Sequence, residues 1–179
     1  MREFSQLFHD LDESTKTNDR IDQLVKYLME AAPEDSIWVC WFLAGNRIKG
    51  AIKTSELRTF ASERSGLPQW LLEECYDRVG DLAETISLLV ATEGGEEVLS
   101  LSEWISKFIE PMIGMDTEER RENIFTVWDL LGEQDFLPFH KLLTGGFRMG
   151  VSKGNLCKAL ARVGGVQPAI IAQRLAGNW

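Results

Sequence analysis

The residues best suited to chemistry lie in one glycine-rich stretch, Gly145-Gly146-Phe147-Arg148-Met149-Gly150-Val151-Ser152-Lys153. Glycine allows a backbone to approach a ligand closely, and Ser152 is placed to cap a helix whose free N–H groups would point toward the stretch. Arg148 offers a forked guanidinium for phosphate oxygens, and Lys153 adds a second positive charge. The pattern favours phosphate binding by Gly145, Gly146, Arg148, Gly150, Ser152 and Lys153. The alternative is an ordinary helix connection whose charges are only solvated.

A similar stretch occurs in the first half of the chain, from Gly45 to Thr54, and holds three cations without an acidic residue. Its candidate binding residues are Asn46, Arg47, Lys49, Lys53 and Thr54, with Thr54 placed to cap the following helix. Two such loops could contact two backbone segments of a duplex, with an affinity that comes from phosphates rather than from bases. An ordinary solvated loop is again the alternative.

The net charge of the whole chain argues against an anionic partner. The chain has 19 Lys plus Arg against 28 Asp plus Glu, a formal charge of −9, whereas proteins that bind nucleic acids normally present a positive surface. The distribution is uneven, however. From Phe136 to Trp179 there is no acidic residue and there are six cations, so the remaining residues are strongly acidic. This asymmetry indicates an anionic partner for the C-terminal part.

The other reactive side chains form no recognised catalytic or metal-binding motif. His9 and His140 have no neighbouring histidine or cysteine at a zinc-ligand spacing. The three cysteines, Cys40, Cys75 and Cys157, are scattered within helical patterns, which favours buried reduced thiols over disulfides. The phosphate-binding Gly-Lys-Ser/Thr motif does not occur. Gly150 to Gly154 has the letters Gly-x-Ser-x-Gly, but it follows no predicted strand, so we do not expect it to provide the strained nucleophilic serine of a hydrolase. We therefore expect no catalytic residue and no metal ligand in this chain.

Helices must position the two loops, because apolar residues recur at spacings of three and four along almost the whole sequence. Phe4, Leu7, Phe8 and Leu11 are one example. No strand-like alternation stands out, so we predict an all-α fold of ten or eleven helices. Five tryptophans lie on apolar helical stripes, which predicts core positions rather than stacking surfaces for bases: Trp38, Trp41, Trp70, Trp104 and Trp128.

The two halves of the chain also show signs of an internal repeat. A shift of 100 positions superposes Gly45 on Gly145 and Gly50 on Gly150, together with several apolar residues. The stretch from Thr92 to Glu97 pairs two glycines with three carboxylates, which indicates an exposed boundary. We predict one domain over residues 1–179 with two pseudo-twofold related lobes, about 1–92 and about 98–179. Chance is the alternative, since any two helical chains share an apolar periodicity.

Several segments, taken in order, resemble the N-terminal DNA-binding domain of bacterial ATP-dependent DNA ligases. They are Pro33-Glu34-Asp35, Ala44 to Arg47, Gly66 to Leu71, Gly80 to Ile86 and, above all, Leu143 to Ser152. The resemblance covers essentially the whole chain. It implies an all-helical domain with approximate internal symmetry, whose loops and helix N-termini grip the minor-groove side of nicked duplex DNA. It also implies a DNA-facing role for Gly145, Gly146, Arg148, Gly150 and Ser152.

One departure from these ligases limits what the chain can do alone. The ligases accept AMP from ATP on the lysine of a Lys-x-Asp-Gly motif, and no lysine here is followed by x-Asp-Gly. The resemblance therefore implies a domain that contributes affinity and orientation to nick sealing without performing it. We expect no cofactor in this chain, whereas ATP and Mg²⁺ belong to the full-length parent. The expected partners are nicked double-stranded DNA and the adenylation and OB-fold domains of the parent ligase.

The expected setting is DNA repair, replication or recombination in the bacterial cytoplasm, in association with the nucleoid. The first residues do not have the pattern of a secretory signal, and no run of about 18 apolar residues occurs, so we expect no membrane contact. We expect the domain to be a monomer. A helical scaffold that binds an acidic protein partner, without any DNA, is the alternative function.

Overall fold

The polypeptide folds into α-helices joined by short turns. The computed structural model describes residues 1–90, 95, 98–145, 147 and 149–177. Within these residues there are eleven α-helices and no strand, which confirms the predicted all-α fold. The helices are α1 (Arg2–Glu13), α2 (Thr17–Glu30), α3 (Pro33–Leu43), α4 (Thr54–Ser65), α5 (Gln69–Val79), α6 (Leu82–Leu89), α7 (Leu101–Trp104), α8 (Thr117–Leu130), α9 (Glu133–Thr144), α10 (Lys153–Gly164) and α11 (Pro168–Leu175). A π-helical segment (Ile105–Ile109) continues α7, and a short 3-10 turn (Pro111–Ile113) follows it.

Contacts between these helices divide the chain into two compact units. The first unit comprises Met1 and Arg47–Gly146, and the second comprises Arg2–Asn46 and Phe147–Trp179. The division therefore falls within the two glycine-flanked basic loops. The first unit combines helices from both expected lobes, because α4 packs against α8 and α6 packs against α9. Most of the stretch expected to be the lobe boundary, residues 92–97, lies outside the described residues.

The repeat seen in the sequence extends to the backbone and to the helix packing within each unit. Helices α2 and α8 span residues 17–30 and 117–130, a shift of 100 positions. In the second unit α10 packs on α2, and in the first unit the equivalent helix α4 packs on α8. Positive φ angles recur in the same way, at Gly45 and Gly145 and at Gly50 and Gly150. Each unit therefore combines the first helices of one sequence half with the last helices of the other half.

The core of the first unit contains a buried tryptophan–histidine pair. Trp128 and His140 are both fully buried. The Trp128 Nε1–H donates to His140 Nε2 at 2.8 Å, and His140 Nδ1 lies 2.7 Å from the Phe136 carbonyl oxygen. An imidazole that accepts at Nε2 must carry its proton on Nδ1, so the ring is neutral and both of its nitrogens are satisfied. His140 is therefore a structural residue of α9.

The positions predicted for the tryptophans are correct for Trp104 and Trp128 but wrong for Trp70. Trp70 is 66% exposed, while Trp38 and Trp41 are half-buried. Helix α5 buries only Leu72, so its apolar stripe is narrower than its sequence indicates, and Trp70 lies on the solvated face. Periodicity identifies a helical stripe but does not show how much of that stripe a neighbouring helix covers.

We expect the stability of the domain to fall as the pH drops below neutrality, because His140 cannot be charged without disrupting the core. Burial lowers the pKa of His140 to about 4, although its hydrogen bond to the Phe136 carbonyl acts in the opposite direction. The unfolded chain, with an ordinary histidine pKa of about 6.5, then binds a proton that the folded chain does not. The stabilising contribution is full above about pH 6.5 and is lost progressively toward pH 4.

Between pH 7 and 5.5 this linkage amounts to about 1 kcal/mol of unfolding free energy, which urea titrations at several pH values would measure. A His9→Gln variant, which changes the other histidine of the chain, should show the same pH dependence as the wild type. An unfolding free energy that stays constant over this range would contradict the assignment of a neutral His140.

Candidate nucleic-acid interface

The turn that leads into α10 belongs to the second unit and contains three of the predicted site residues, Gly150, Ser152 and Lys153. Gly150 has a φ of +63°, a left-handed conformation that favours glycine. The Ser152 hydroxyl accepts a hydrogen bond from the Asn155 N–H at 3.2 Å, as expected for an N-cap. Lys153 is exposed at the first position of α10. Gly146 and Arg148 lie outside the described residues.

Buried apolar residues hold this turn on the second unit. The Phe147 ring stacks on Phe4 with a centroid separation of 5.3 Å and contacts Phe8 and Phe42. Met149 is buried as well. Met149 anchors the backbone immediately before Gly150, so the start of α10 is held on the second unit. A fixed backbone is useful for binding an anion, because little ordering is then needed when the ligand arrives.

Arg20 on α2 reaches the same turn, although sequence reasoning does not find it. Its Nη1 donates to the Gly150 carbonyl oxygen at 3.5 Å, and its Nε donates to the Leu11 carbonyl oxygen at 3.2 Å. A Cβ atom placed on Gly150 would lie 2.5 Å from Arg20 Nη1, so any other residue there would displace the guanidinium group from this position. Arg20 and Gly150 are 130 residues apart in sequence, so no contiguous motif contains both. The one available signal is the repeat, which places Arg120 at the equivalent position of α8.

The loop between α3 and α4 exposes the predicted cations Arg47, Lys49 and Lys53, which belong to the first unit. Arg47 lies beside Gly145 of the same unit, since a Cβ atom on Gly145 would be 3.2 Å from Arg47 Cδ. The structure therefore brings together one predicted residue from each basic loop. Asn46, in the second unit, donates from its side chain to the Trp41 carbonyl oxygen at 3.1 Å and so closes the C-terminus of α3.

The start of α4 differs from the start of α10 because it holds a carboxylate. Lys53, rather than Thr54, is the N-cap residue, and Thr54 is the first residue of the helix. The prediction that Thr54 caps α4 was wrong by one position. The Lys53 N–H donates to Glu56 Oε2 at 3.0 Å. The other oxygen of Glu56 accepts from Arg120 Nη1 at 3.2 Å and from the Thr117 hydroxyl at 3.0 Å.

These contacts keep Glu56 ionised. Burial would raise the pKa of Glu56, but hydrogen bonds from the Lys53 N–H and the Thr117 hydroxyl, with the charges of Arg120 and Lys53, hold this pKa below its usual value. A carboxylate at a helix N-terminus satisfies the same groups that an external anion would use. The loop before α4 therefore offers a ligand only its cations. The turn before α10 also offers a helix N-terminus that no carboxylate of the described residues occupies.

Two cations of the acid-free C-terminal segment have carboxylate partners from other helices. Lys141 Nζ lies 2.6 Å from Asp81 Oδ2, and Arg162 Nη1 lies 2.5 Å from Asp22 Oδ1. Within the described residues, Lys153 has no ion-pair partner. The charge available for a ligand is therefore smaller than the sequence total of this segment, and it includes Lys153 at the α10 turn.

Comparison with known proteins assigns the chain. Residues 1–161 match the family model described as DNA ligase N terminus. The chain belongs to this family. The match confirms the resemblance to the N-terminal domain of ATP-dependent DNA ligases, so this is a DNA ligase domain. No curated protein matches the chain significantly.

In the described part of the chain, no helix combines the length and apolar character needed to cross a membrane. Over the same residues, no group of three or more His, Cys, Asp or Glu side chains is arranged to hold a metal ion.

Proposed function

We propose that this ligase domain binds nicked double-stranded DNA independently of base sequence and positions the nick for sealing by the rest of the enzyme. The observation that carries the proposal is the α10 turn, where Gly150, Ser152 and Lys153 present a helix N-terminus and a cation that pairs with no carboxylate of the described residues. Membership of the DNA ligase family supports DNA as the class of ligand that we propose. The phosphate backbone is the part of DNA that such a turn can recognise, because it carries one charge at every nucleotide.

The residues proposed to contact DNA have different roles. The first N–H groups of α10 and the Lys153 ammonium bind phosphate oxygens, and Arg148 adds a forked guanidinium. In the other loop, Arg47, Lys49 and Lys53 supply charge. Contacts of these kinds fix the register and orientation of a protein on a duplex but carry no sequence information. The complete proposed set is Asn46, Arg47, Lys49, Lys53, Thr54, Gly145, Gly146, Arg148, Gly150, Ser152 and Lys153.

The chemistry of sealing is assigned to other parts of the parent ligase. ATP and Mg²⁺ act there, and the residues of this chain do not fit them, because it contains no Lys-x-Asp-Gly motif and its described residues form no metal-binding cluster. We propose that the domain works beside adenylation and OB-fold domains, as a monomer, in a cytoplasmic, nucleoid-associated enzyme of DNA repair, replication or recombination. Incubation with labelled ATP and Mg²⁺ should leave no covalent AMP on this chain, and an AMP adduct on one of its lysines would contradict this division of labour.

Fluorescence anisotropy with a short labelled duplex tests the proposed function. We expect the domain to bind a nicked duplex, and unlabelled duplexes of unrelated sequence to compete equally well. If the domain is instead a scaffold for an acidic protein, an acidic polypeptide such as polyglutamate would bind it and duplex DNA would not. Failure to bind any duplex at low salt would reject the proposal.

A further inference from the structure

Arg20 and Arg120 occupy equivalent positions of the internal repeat and are held in the same way. Arg20 Nε donates to the Leu11 carbonyl oxygen at 3.2 Å, and Arg120 Nε donates to the Met112 carbonyl oxygen at 2.9 Å. In each case the carbonyl belongs to the segment just before the arginine's own helix. In each unit, a hydrogen bond from Nε to a backbone carbonyl oxygen thus orients the guanidinium group.

The two arginines differ in their charge partner. Arg120 forms an ion pair with Glu56, the third residue of α4. The third residue of α10, which is the equivalent helix in the second unit, is the uncharged Asn155. Among the described residues, no carboxylate forms an ion pair with Arg20, and its Nη1 instead faces the Gly150 carbonyl oxygen.

Arg20 is half-buried and oriented, and its guanidinium pairs with no carboxylate in the part of the chain that the structure describes, so it is suited to bind an oxyanion. We infer that Arg20 is a further phosphate-binding residue of the DNA interface and that Asn155 keeps its site open. In the first unit, Glu56 closes the equivalent site by occupying both Arg120 and the start of α4. This inference rests on the proposed function, since it assigns one more contact to the DNA proposed for the α10 turn.

The first experiment compares Arg20→Gln with its matched control Arg120→Gln. Loss of one phosphate contact should flatten the log–log dependence of affinity on salt by about 0.9 and weaken binding about eightfold at 0.1 M salt. Arg20→Gln should show both effects, and Arg20→Lys should keep most of the salt dependence because it keeps the charge. Arg120→Gln should leave the salt dependence unchanged, although it too removes a hydrogen bond to a carbonyl and should lower the melting temperature.

The second experiment, Asn155→Glu, separates DNA binding from folding. This change copies the first unit, in which the third residue of α4, Glu56, pairs with Arg120. Ser152 and a glutamate three residues later can form a capping box, and by the equivalence of the two units we expect the new carboxylate to pair with Arg20. The melting temperature should rise by about 2 °C. Affinity for duplex DNA should nevertheless fall at least eightfold at 0.1 M salt, since the new carboxylate would compete with DNA phosphate for Arg20 and for the N-terminus of α10. Because this variant is expected to be stabilised, it remains decisive even if Arg20→Gln folds poorly.

The outcomes separate this inference from the proposed function. If the wild type does not bind duplex DNA, the proposed function fails and the inference fails with it. If the wild type binds and Lys153→Gln weakens binding, while Arg20→Gln and Asn155→Glu bind like the wild type, only the inference is overturned. Reduced affinity and a flatter salt dependence in both of these variants, with Arg120→Gln unchanged, support it.

Discussion

Reversal of both cations at the α10 turn, with Arg148→Glu and Lys153→Glu, should reduce the affinity for duplex DNA by at least about 60-fold at 0.1 M salt. Each lost phosphate contact removes about 0.9 from the slope of log affinity against log salt, so the slope should flatten by about 1.8. Repulsion between the new carboxylates and phosphates would add to the loss. A fluorescence titration at several salt concentrations measures both quantities.

A matched control reverses two cations elsewhere, Lys26→Glu and Lys107→Glu. Lys26 lies in a pocket that is also lined by Glu3, Asp10 and Glu30, and Lys107 lies 3.7 Å from Glu103. Since these cations already have acidic neighbours, the control should keep the wild-type salt slope despite its identical change in net charge. Equal effects of the two double variants would show that net charge, rather than the α10 turn, governs binding. That result would contradict the proposed site.

The largest effect on stability is expected for Trp128→Ala, a loss of about 4 to 8 kcal/mol of unfolding free energy that combines two costs. Trp128 is fully buried, and removal of a large aromatic side chain from a core costs about 3 to 5 kcal/mol. The substitution also leaves the buried Nε2 of His140 without its donor, a further cost of about 1 to 3 kcal/mol unless water enters the cavity. Urea unfolding at pH 7 measures the change.

Trp70→Ala is the matched control, because Trp70 is 66% exposed and its removal should change the unfolding free energy by less than about 0.5 kcal/mol. If Trp128→Ala does not fold, Trp128→Phe isolates the hydrogen bond, and we expect a loss of about 1 to 3 kcal/mol. Similar stabilities for the Trp70 and Trp128 variants would contradict the described core.

The helical fold could be predicted because its signals are local. Apolar spacing and glycine helix ends identify α2, α3, α8 and α9, and the shift of 100 positions relates them in pairs. The exposure of Trp70 could not be predicted, since it depends on how much of α5 its neighbours cover. The grouping of the helices into two units could not be predicted from the sequence either. It depends on which helices pack together, and the pairs α2 with α10 and α6 with α9 are far apart in the chain.

The candidate site could be predicted in part. The glycines and cations of the two loops are contiguous in sequence, and the structure brings Arg47 beside Gly145. The difference between the two turns could not be found in this way. It depends on the position of the Glu56 side chain, which reaches Arg120, and on the approach of Arg20 to Gly150. Long side chains that meet across helices leave no contiguous motif, although the repeat shows afterwards that the two arginines correspond.

The central claim is that this ligase domain holds DNA through phosphate contacts, and its most direct test is the salt dependence of binding to a nicked duplex. With at least three phosphate contacts, log affinity should fall linearly with log salt, with a slope steeper than about −2.7. The same slope should be found for duplexes of unrelated sequence. No binding at low salt, or an affinity that does not change with salt concentration, would contradict the claim.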